Sequence, residues 1–568
     1  MRGTIYALLA AASLAVALLE SPSALADDAD VLAIQGDVSR QELGSGAGVI
    51  VGIVDSGVKS THPALSGRQV AAQDFVGDGD TSADDISTEG HGTAMASAIL
   101  SSDPTHTGLA PSAQYVNARV LNAGSAFSGD STVMNGVGYA VSQHVNVMNL
   151  SLDFNPPSNT SGTDGIDLIL DWAAEQGVNV TVSAGNIAAH RDETTGEVVL
   201  DDPPSNQFVR SPGSAYNVVT VGRTGVPVGE DPNAGPITAN TVLNYDQIMS
   251  NSATGPINSQ SGTADRDKPD LVAPGTYITL ANNMFTPGQP STYWTSGLNG
   301  TSISSALVCG MMAQEIGYGI SNNLSTSPLV IKATMMASAD PVYDKVLPST
   351  SGPPNLTPAA AWAPRASSNV NGVLVVTAPL DADSGAGQID GARLYQQYSA
   401  GQQRGTVNSI GWDLNTISGA ASSTYNINTP EIAGSQINVS LNWFRQVLWT
   451  DTNHDNVADY GDSFTAQTLG DLNLKVLVNS TLVAESISAF DNEQFLSFLL
   501  PQSGTVSIEV DDLGVSGAPM SEQYGLAWNI VSVPEPAAWA LAVCGAMSIA
   551  ICLLRGRNRR GNQGRAFV

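Results

Sequence analysis

Three side chains whose types suit nucleophilic acyl chemistry stand beside predicted elements of secondary structure. Ser302 lies in "NGTSISS" (299–305), at the predicted start of a buried helix, where backbone N–H groups are unpaired. His91 opens the helical stretch "HGTAMASAIL", and Asp55 follows the apolar run "VIVGIV". An activated serine requires a base, a group that orients the base, and donors for an oxyanion. The pattern therefore predicts Ser302 as nucleophile, His91 as base and Asp55 as orienting carboxylate.

Each of these residue types also has a structural interpretation. Most serines only pack, and we assign no chemistry to Ser304 and Ser305, whose small side chains suit a closely packed helix. A lone histidine is more often structural, but the other histidines lack a comparable position at a helix start: His62, His106, His144, His190 and His454. A carboxylate at the end of a central strand is costly unless it is paired, and His91 is the natural partner of Asp55.

Two patterns divide the chain, and the first must position these residues. From about residue 49 to 340, short apolar runs alternate with helical stretches. The apolar runs are 49–54, 145–152 and 178–184, and the helical stretches are 92–102, 132–144 and 165–177. This alternation predicts a mostly parallel sheet covered on both faces, with functional residues at the carboxyl ends of its strands. After about residue 400, alternating runs at 436–444, 472–479 and 505–510 predict a separate, small all-β sandwich.

Ordered segments around the three residues resemble those of the subtilisin-like serine protease (subtilase) family. They are "VGIVDSGVKSTHPAL" (51–65), "EGHGTAMAS" (89–97), "GLAPSAQYVNARVL" (108–121), "VTVSAGN" (180–186), "KPDLVAPG" (268–275), "NGTSISSA" (299–306) and "GAGQIDGARLY" (385–395). The chain order Asp, His, Ser is also that of the family. The resemblance implies a three-layer α/β domain over residues 27–400. It also implies a serine endopeptidase that hydrolyses proteins or peptides through an acyl-enzyme intermediate.

The resemblance assigns further residues to the site. Asn186, with the Ser302 backbone N–H, would donate to the oxyanion. Ser151 and Asp153 lie in "NLSLDFNPP" (149–157), which resembles the substrate-pocket strand of the family. Asp153 stands where the family usually has glycine, and an acid there could favour basic residues before the scissile bond or could narrow the pocket. The resemblance implies no cofactor for the chemistry.

Other departures from the family pattern keep a second function open. Ile303, Ser304 and Ser305 replace the usual residues after the nucleophile, and Ala94 replaces a second histidine of the family. The stretch between Ala26 and Asp55 is too short for the folding-assistant propeptide of the family. The alternative function is therefore a catalytically inactive matrix or binding protein on a subtilase fold.

Composition excludes one class of partner. The chain has 568 residues and a formal net charge of −30, from 52 acidic and 22 basic side chains. This charge excludes binding of nucleic acid through phosphate neutralisation. Its length predicts two or more folded units. Of three cysteines, Cys544 and Cys552 lie in an apolar C-terminal segment, so Cys309 has no partner for an internal disulfide elsewhere in the chain.

Both chain ends carry targeting patterns. Residues 1–26 combine Arg2, an apolar run and Ala24-Leu25-Ala26, which predicts a secretory signal peptide. Residues 533–568 combine "VPEP", the uncharged run 537–554 and a basic end, which resembles the PEP-CTERM sorting signal of bacterial exported proteins. The resemblance implies a transmembrane helix over 537–554, processing by an exosortase, and an extracellular or cell-surface location. A plain C-terminal membrane anchor is the alternative.

The all-β unit, predicted over residues 401–532, contains an acidic loop. In "DTNHDNVADYGD" (451–462), five side chains have EF-hand-like spacing: Asp451, Asn453, Asp455, Asp459 and Asp462. The spacing predicts a structural calcium ion, and the alternative is a solvated acidic loop. The unit resembles the bacterial pre-peptidase C-terminal sandwich, which implies an accessory role without chemistry of its own.

Overall fold

The structure is a computed structural model that describes residues 29–79, 82–153, 161–187, 189–191, 198–200, 207–227, 243–258, 265–341, 362–419, 421–512 and 521–532. The predicted signal peptide (1–26) and the predicted sorting tail (533–568), with its transmembrane helix, lie outside these residues. Within the described residues, no helix combines the length and the apolar character that a membrane crossing requires.

An eight-stranded sheet forms the centre of the N-terminal unit. Its elements are, in chain order, α1 (Ala29–Ala33), α2 (Gly36–Glu42), β1 (Ile50–Asp55), β2 (Gln69–Asp74), α3 (His91–Leu100), β3 (Gln114–Arg119), α4 (Asp130–Ser142), β4 (Val147–Leu150), α5 (Gly165–Glu175), β5 (Asn179–Ser183), β6 (Ala189–Arg191), β7 (Val198–Leu200), β8 (Val219–Pro227), β9 (Leu243–Ile248), β10 (Leu271–Pro274), β11 (Ile278–Ala281), β12 (Trp294–Leu298), α6 (Thr301–Asn322) and α7 (Pro328–Ser338). The strand order is β10-β8-β5-β4-β1-β3-β2, all parallel, and β9 pairs antiparallel with β8. The predicted mostly parallel sheet is confirmed.

Helices cover both faces of this sheet because its strands are apolar on both sides. In β1, Val51 and Ile53 belong to the core formed with α3 and α6, whereas Val54 belongs to the core formed with α4 and α5. All three side chains are fully buried. Alternate residues of a strand point to opposite faces, which explains this division. Because β1, β4 and β5 are parallel, their carboxyl ends lie at the same edge of the sheet, and the candidate site is at this edge.

A β-rich unit follows in the C-terminal part of the chain. The elements of this part of the chain are β13 (Ala366–Val370), β14 (Val373–Ala378), α8 (Gly391–Ser399), β15 (Thr406–Val407), β16 (Ile410–Ser418), β17 (Ser422–Ile427), β18 (Gln436–Trp443), β19 (Val447–Thr450), β20 (Ser463–Ala466), β21 (Leu472–Val478), β22 (Thr481–Ser486), β23 (Glu493–Leu499), β24 (Val506–Asp512) and β25 (Ser521–Val531). One sheet has the order β13-β14-β22-β21-β24-β17-β15 and the other β16-β25-β18-β23. Buried apolar residues of the two sheets form one shared core.

The chain crosses between the two units more than once. The strands β13 and β14 join the seven-stranded sheet, where β14 pairs in parallel with β22. The next helix, α8, returns to the N-terminal unit, and the Gly391 N–H donates to the Ile34 carbonyl oxygen at 2.8 Å. The domain boundary that we predict near residue 400 follows α8, and it stays a prediction. In space, the second unit already includes strands that precede this boundary.

The four-stranded sheet is buried on both faces because the second face packs on α7. The β18 residues Ser440 and Asn442 are fully buried although they are polar. At the end of α7, the Asn529 side chain donates to the Ala337 carbonyl oxygen at 2.5 Å. Carbonyl groups at the end of a helix lack intrahelical partners, so this bond satisfies one of them.

Buried ion pairs join the two units. On α7, the Lys332 ammonium lies 2.7 Å from an Asp270 carboxylate oxygen and 2.7 Å from a Glu493 carboxylate oxygen. Glu493 belongs to the four-stranded sheet, and Asp270 precedes β10. The Lys332 side chain is only 6% exposed. A second pair joins Arg445 after β18 to Asp171 on α5, and both side chains are fully buried. The units therefore share a charged interface that is almost completely buried.

A hairpin from the C-terminal unit reaches across α4 and α5. It consists of β19, the acidic loop and β20. On α5, Trp172 contacts the rings of Trp449 and Phe464. On α4, the Ala458 carbonyl oxygen lies 1.6 Å from the point that a Cβ on Gly138 would occupy. Only glycine at this position allows the loop to touch the helix.

Candidate active site

The first part of the site is a hydrogen-bonded pair of Asp55 and His91. Asp55 is the last residue of β1 and is fully buried. His91 is the first residue of α3, and its Nδ1 lies 2.8 Å from Asp55 Oδ1. The Ser56 backbone N–H donates to the same carboxylate oxygen at 2.7 Å. The bond between Nδ1 and the carboxylate fixes the orientation of the imidazole and leaves Nε2 as the ring nitrogen that can accept a proton.

The pair also sets the protonation of the imidazole. Burial lowers the pKa of His91, but the Asp55 carboxylate and the hydrogen bond to it outweigh burial, so the pKa is raised overall. Asp85 and Glu89 raise the same pKa further through their charges. The arrangement stabilises the imidazolium, which is the form that a general base reaches after it accepts a proton.

Asp85 is a buried carboxylate that is hydrogen-bonded to residues next to this pair, and no sequence pattern identified it. One carboxylate oxygen accepts hydrogen bonds from the Ser87 hydroxyl at 2.6 Å and the Ser56 hydroxyl at 3.2 Å. The other accepts from the Thr93 hydroxyl at 2.7 Å and the Thr93 backbone N–H at 3.1 Å. Burial raises the pKa of Asp85, and these donors counteract part of that effect. Asp85 thus connects the residue after Asp55 to the first turn of α3.

Ser302 lies in the first turn of α6, half-buried at the edge of the sheet. Its hydroxyl donates to the Ser151 carbonyl oxygen at 3.5 Å, and the Ser151 hydroxyl donates to the Ser302 carbonyl oxygen at 2.8 Å. The structure describes both Ser302 and His91, and no hydrogen bond joins these two residues. Such bonds are often long in an enzyme without substrate. Ser304 and Ser305 are fully buried and donate to Pro274 and Asn149, which agrees with a packing role.

Asn186 follows β5 and faces the same helix start. Its side-chain oxygen accepts a hydrogen bond from the Thr301 backbone N–H at 3.0 Å. The Thr301 hydroxyl donates to this oxygen at 3.4 Å, and it is also within 3.2 Å of the Gly185 backbone N–H. Because the oxygen is held by α6, the amide NH₂ group of Asn186 points away from Thr301. A donor in this position can bind an oxyanion next to Ser302.

Asp153, one of the two predicted pocket residues, is paired. Its carboxylate accepts two hydrogen bonds from Arg210, from Nε at 3.0 Å and from Nη2 at 2.5 Å. The Arg210 side chain is 5% exposed and the Asp153 side chain 23% exposed. From the sequence alone, this acid could favour basic residues before the scissile bond. The ion pair argues against that interpretation, because Arg210 already neutralises the carboxylate.

The predicted calcium loop uses its acidic side chains within the loop. Asp451 accepts from the His454 backbone N–H at 2.6 Å, and Asp455 accepts from the Val457 backbone N–H at 2.8 Å. Asp462 accepts from the Thr452 backbone N–H at 2.8 Å. The Asn453 amide lies 3.3 Å from both carboxylate oxygens of Asp459. Among the residues that the structure describes, no group of three or more His, Cys, Asp or Glu side chains is arranged to hold a metal. Calcium at this loop stays a prediction from spacing.

Sequence patterns did not reveal Asp85 and Arg210 as parts of the site, and they placed Thr301 in the turn before Ser302 without its contact to Asn186. The partners of Arg210 and Thr301 are distant in sequence, and only the fold brings them together. For Asp85, the available signal was its position shortly before His91 in a polar loop. A buried carboxylate in such a loop must be hydrogen-bonded, but the sequence does not show that it is buried.

Comparisons with known proteins show what the chain is similar to. The profile described as "Subtilase family" matches residues 46–378. Thermitase of Thermoactinomyces vulgaris is 35% identical over 149 residues, which cover 26% of this chain and 50% of thermitase. The minor extracellular protease Vpr of Bacillus subtilis (strain 168) is 32% identical over 197 residues, which cover 33% of this chain and 22% of Vpr.

Two further similarities were found. Subtilisin E of Bacillus subtilis (strain 168) is 33% identical over 143 residues, 25% of this chain and 35% of that protein. The crystal structure of a cold adapted subtilisin-like serine proteinase has 26% sequence identity and a TM-score of 0.36, and the match covers 52% of this chain and 83% of that one. The chain thus spans half or less of the length of these three curated relatives.

Proposed function

Because the chain belongs to the subtilase family, we propose that it is a serine endopeptidase that cleaves proteins or peptides through an acyl-enzyme. The observation that carries this proposal is the 2.8 Å hydrogen bond between His91 Nδ1 and the buried Asp55 carboxylate. A buried carboxylate that orients a histidine at the end of a central strand is the arrangement that an activated serine requires. Ser302 and Asn186 stand at the same edge of the sheet.

The proposed reaction has two stages. The Ser302 hydroxyl leaves the Ser151 carbonyl oxygen and attacks the substrate carbonyl carbon, while His91 Nε2 accepts its proton. The Asn186 NH₂ group and the Ser302 backbone N–H bind the oxyanion. His91 then protonates the leaving amine as the C–N bond breaks, which releases the C-terminal part of the substrate and leaves the N-terminal part as an ester on Ser302. A water molecule then attacks the ester carbonyl carbon while His91 accepts its proton. His91 returns the proton to the Ser302 oxygen, and the N-terminal part of the substrate leaves as an acid.

A reactive-serine probe tests the proposal. Residues 27–532 are produced with calcium and treated with a fluorophosphonate, alongside the Ser302→Ala variant. We expect the first protein to be labelled and to hydrolyse casein, and the variant to do neither. A folded protein that is not labelled would support the alternative, an inactive subtilase-fold matrix or binding protein. Circular dichroism of both proteins establishes that they are folded.

Substitution of the oxyanion donor gives a second test. Asn186→Leu is expected to lower kcat about 10²–10³-fold, the range seen when one such donor is removed from subtilisin itself. KM should change little, because the donor acts on charge that develops in the transition state. Steady-state kinetics on a chromogenic peptide measures both constants. A decrease in kcat of less than threefold would show that Asn186 has only a structural role, in the turn after β5.

Export and sorting form part of the same proposal. The signal peptide pattern at residues 1–26 and the PEP-CTERM-like tail at 533–568 support an exported protein that an exosortase processes and that contacts the membrane through 537–554 until then. A structural calcium ion at residues 451–462 is proposed on the ligand spacing alone. Mass spectrometry of the mature chain from a host with an exosortase would reveal whether the tail is removed.

A further inference from the structure

The cleft beside Ser302 is bounded by the segments that follow two neighbouring strands. Ser151 to Asp153 follow β4, and Ala184 to Asn186 follow β5. Both segments contact the start of α6, through the Ser151 hydroxyl and through the Gly185 backbone N–H. A substrate carbonyl held between Ser302 and Asn186 therefore places the preceding side chain against these two segments.

Asp153 reaches across this space. One of its carboxylate oxygens lies 2.9 Å from the point that a Cβ on Gly185 would occupy. Gly185 has φ 108°, a backbone conformation that favours glycine. The acid therefore occupies the space beside Gly185 where a side chain would lie, one residue before the proposed oxyanion donor Asn186. Little room remains between the two segments for a long substrate side chain.

Arg210 holds Asp153 in this position. Its two hydrogen bonds to the carboxylate use the planar fork of the guanidinium, which gives the pair a fixed geometry. Arg210 is almost completely buried, so movement of Asp153 out of the cleft would leave a buried charge without its partner. Because the two charges neutralise each other, the cleft attracts neither a basic nor an acidic side chain.

We propose that the Asp153–Arg210 ion pair closes this pocket and restricts cleavage to bonds that follow small residues such as glycine, alanine or serine. The inference rests on the proposed endopeptidase function and identifies Arg210 as a specificity-determining residue. It also selects between the two interpretations of Asp153: the acid narrows the pocket rather than binding a cation.

Four chromogenic peptides that differ only in the residue before the scissile bond test this inference. With alanine, phenylalanine, lysine and glutamate at that position, we expect kcat/KM to be at least tenfold higher for alanine than for any other. Equal or faster cleavage after phenylalanine, lysine or glutamate overturns the proposal. The wild-type protein alone therefore decides the question, whatever the stability of the variants.

Two variants separate the roles of the pair. The double substitution Asp153→Gly with Arg210→Ala should open the pocket and raise the phenylalanine-to-alanine ratio of kcat/KM at least tenfold. Asp153→Gly alone leaves the Arg210 charge unneutralised and should raise the glutamate-to-alanine ratio instead. Unchanged ratios in folded variants contradict the proposal.

Fluorophosphonate labelling of the wild-type protein distinguishes failure of the proposed peptidase function from failure of the closed-pocket proposal. No labelling rejects the peptidase function. Labelling with no preference for alanine rejects only the closed pocket.

Discussion

Replacing Asp55 by asparagine is expected to lower kcat for peptide hydrolysis by about 10⁴-fold. The carboxylate accepts the hydrogen bond of His91 Nδ1 at 2.8 Å and is fully buried at the end of β1. Asparagine keeps the size of the side chain but can present its NH₂ group to Nδ1, which favours the wrong tautomer. His91 Nε2 would then carry a proton and could not accept one from Ser302. Initial rates at saturating peptide concentration measure the loss.

The same variant should show a shifted pH dependence. The base must be neutral, so kcat/KM rises with pH through the pKa of His91. Asp55 raises that pKa and burial lowers it. Without the carboxylate charge the effect of burial remains, and the rise of kcat/KM should move to lower pH.

Asp84→Asn is a matched control, because Asp84 pairs with Lys59 near the surface and should leave both rate and pH profile almost unchanged. A residual activity above one tenth in the Asp55 variant would contradict the role of the pair.

Replacing Lys332 by methionine is expected to lower the free energy of unfolding by about 3–5 kcal/mol. Lys332 neutralises Asp270 in one unit and Glu493 in the other, and all three side chains are almost fully buried. Methionine fills a similar volume but leaves the buried Glu493 carboxylate without its cation, while Asp270 keeps only Lys268, at 2.6 Å. Burial already raises the pKa of Glu493, and loss of Lys332 removes the charge that counteracts this effect. Urea unfolding in the Ser302→Ala background measures stability without self-digestion.

Lys475→Met provides the comparison for this prediction. Lys475 pairs with Asp511 at 2.5 Å, but its side chain is 29% exposed. An ion pair at the surface contributes about 0–1 kcal/mol, so this variant should unfold close to the parent protein. We expect the Lys332 variant to lose both units in one transition, because the pair spans their interface. Equal small effects in the two variants would show that the buried pair does not hold the units together.

The local parts of the site could be predicted because each has a marker in its own segment. Asp55 ends an apolar run, His91 opens a helix, and the small residues after Ser302 predict a buried helix. Arg210 has no such marker, since its role depends on Asp153 in a distant segment. An acid in the pocket strand therefore suggested a free charge, and only the fold shows that the charge is neutralised.

The packing between the two units could not be predicted from the sequence, for a different reason. The alternation in "QINVSLNWF" predicts a strand with one apolar face, and the polar face would ordinarily be expected to contact water. In the structure, Ser440 and Asn442 on this face are buried against the N-terminal unit. Polar residues that pack against another folded unit and polar residues that face water give the same alternating pattern in the sequence. The accessory unit was therefore predicted as separate, although it completes the core of its neighbour.

The repeated crossing of the chain between the units has a consequence for biosynthesis. Leu374 in β14 pairs with Ala484 in β22, and Ile437 in β18 pairs with Ile530 in β25. A ribosome releases the N-terminal partner of each pair long before the other. The sheet that supports α7 therefore cannot close until the last strand has emerged. We expect α7, and with it the buried junction of the two units, to reach its final packing only after β25 has left the ribosome.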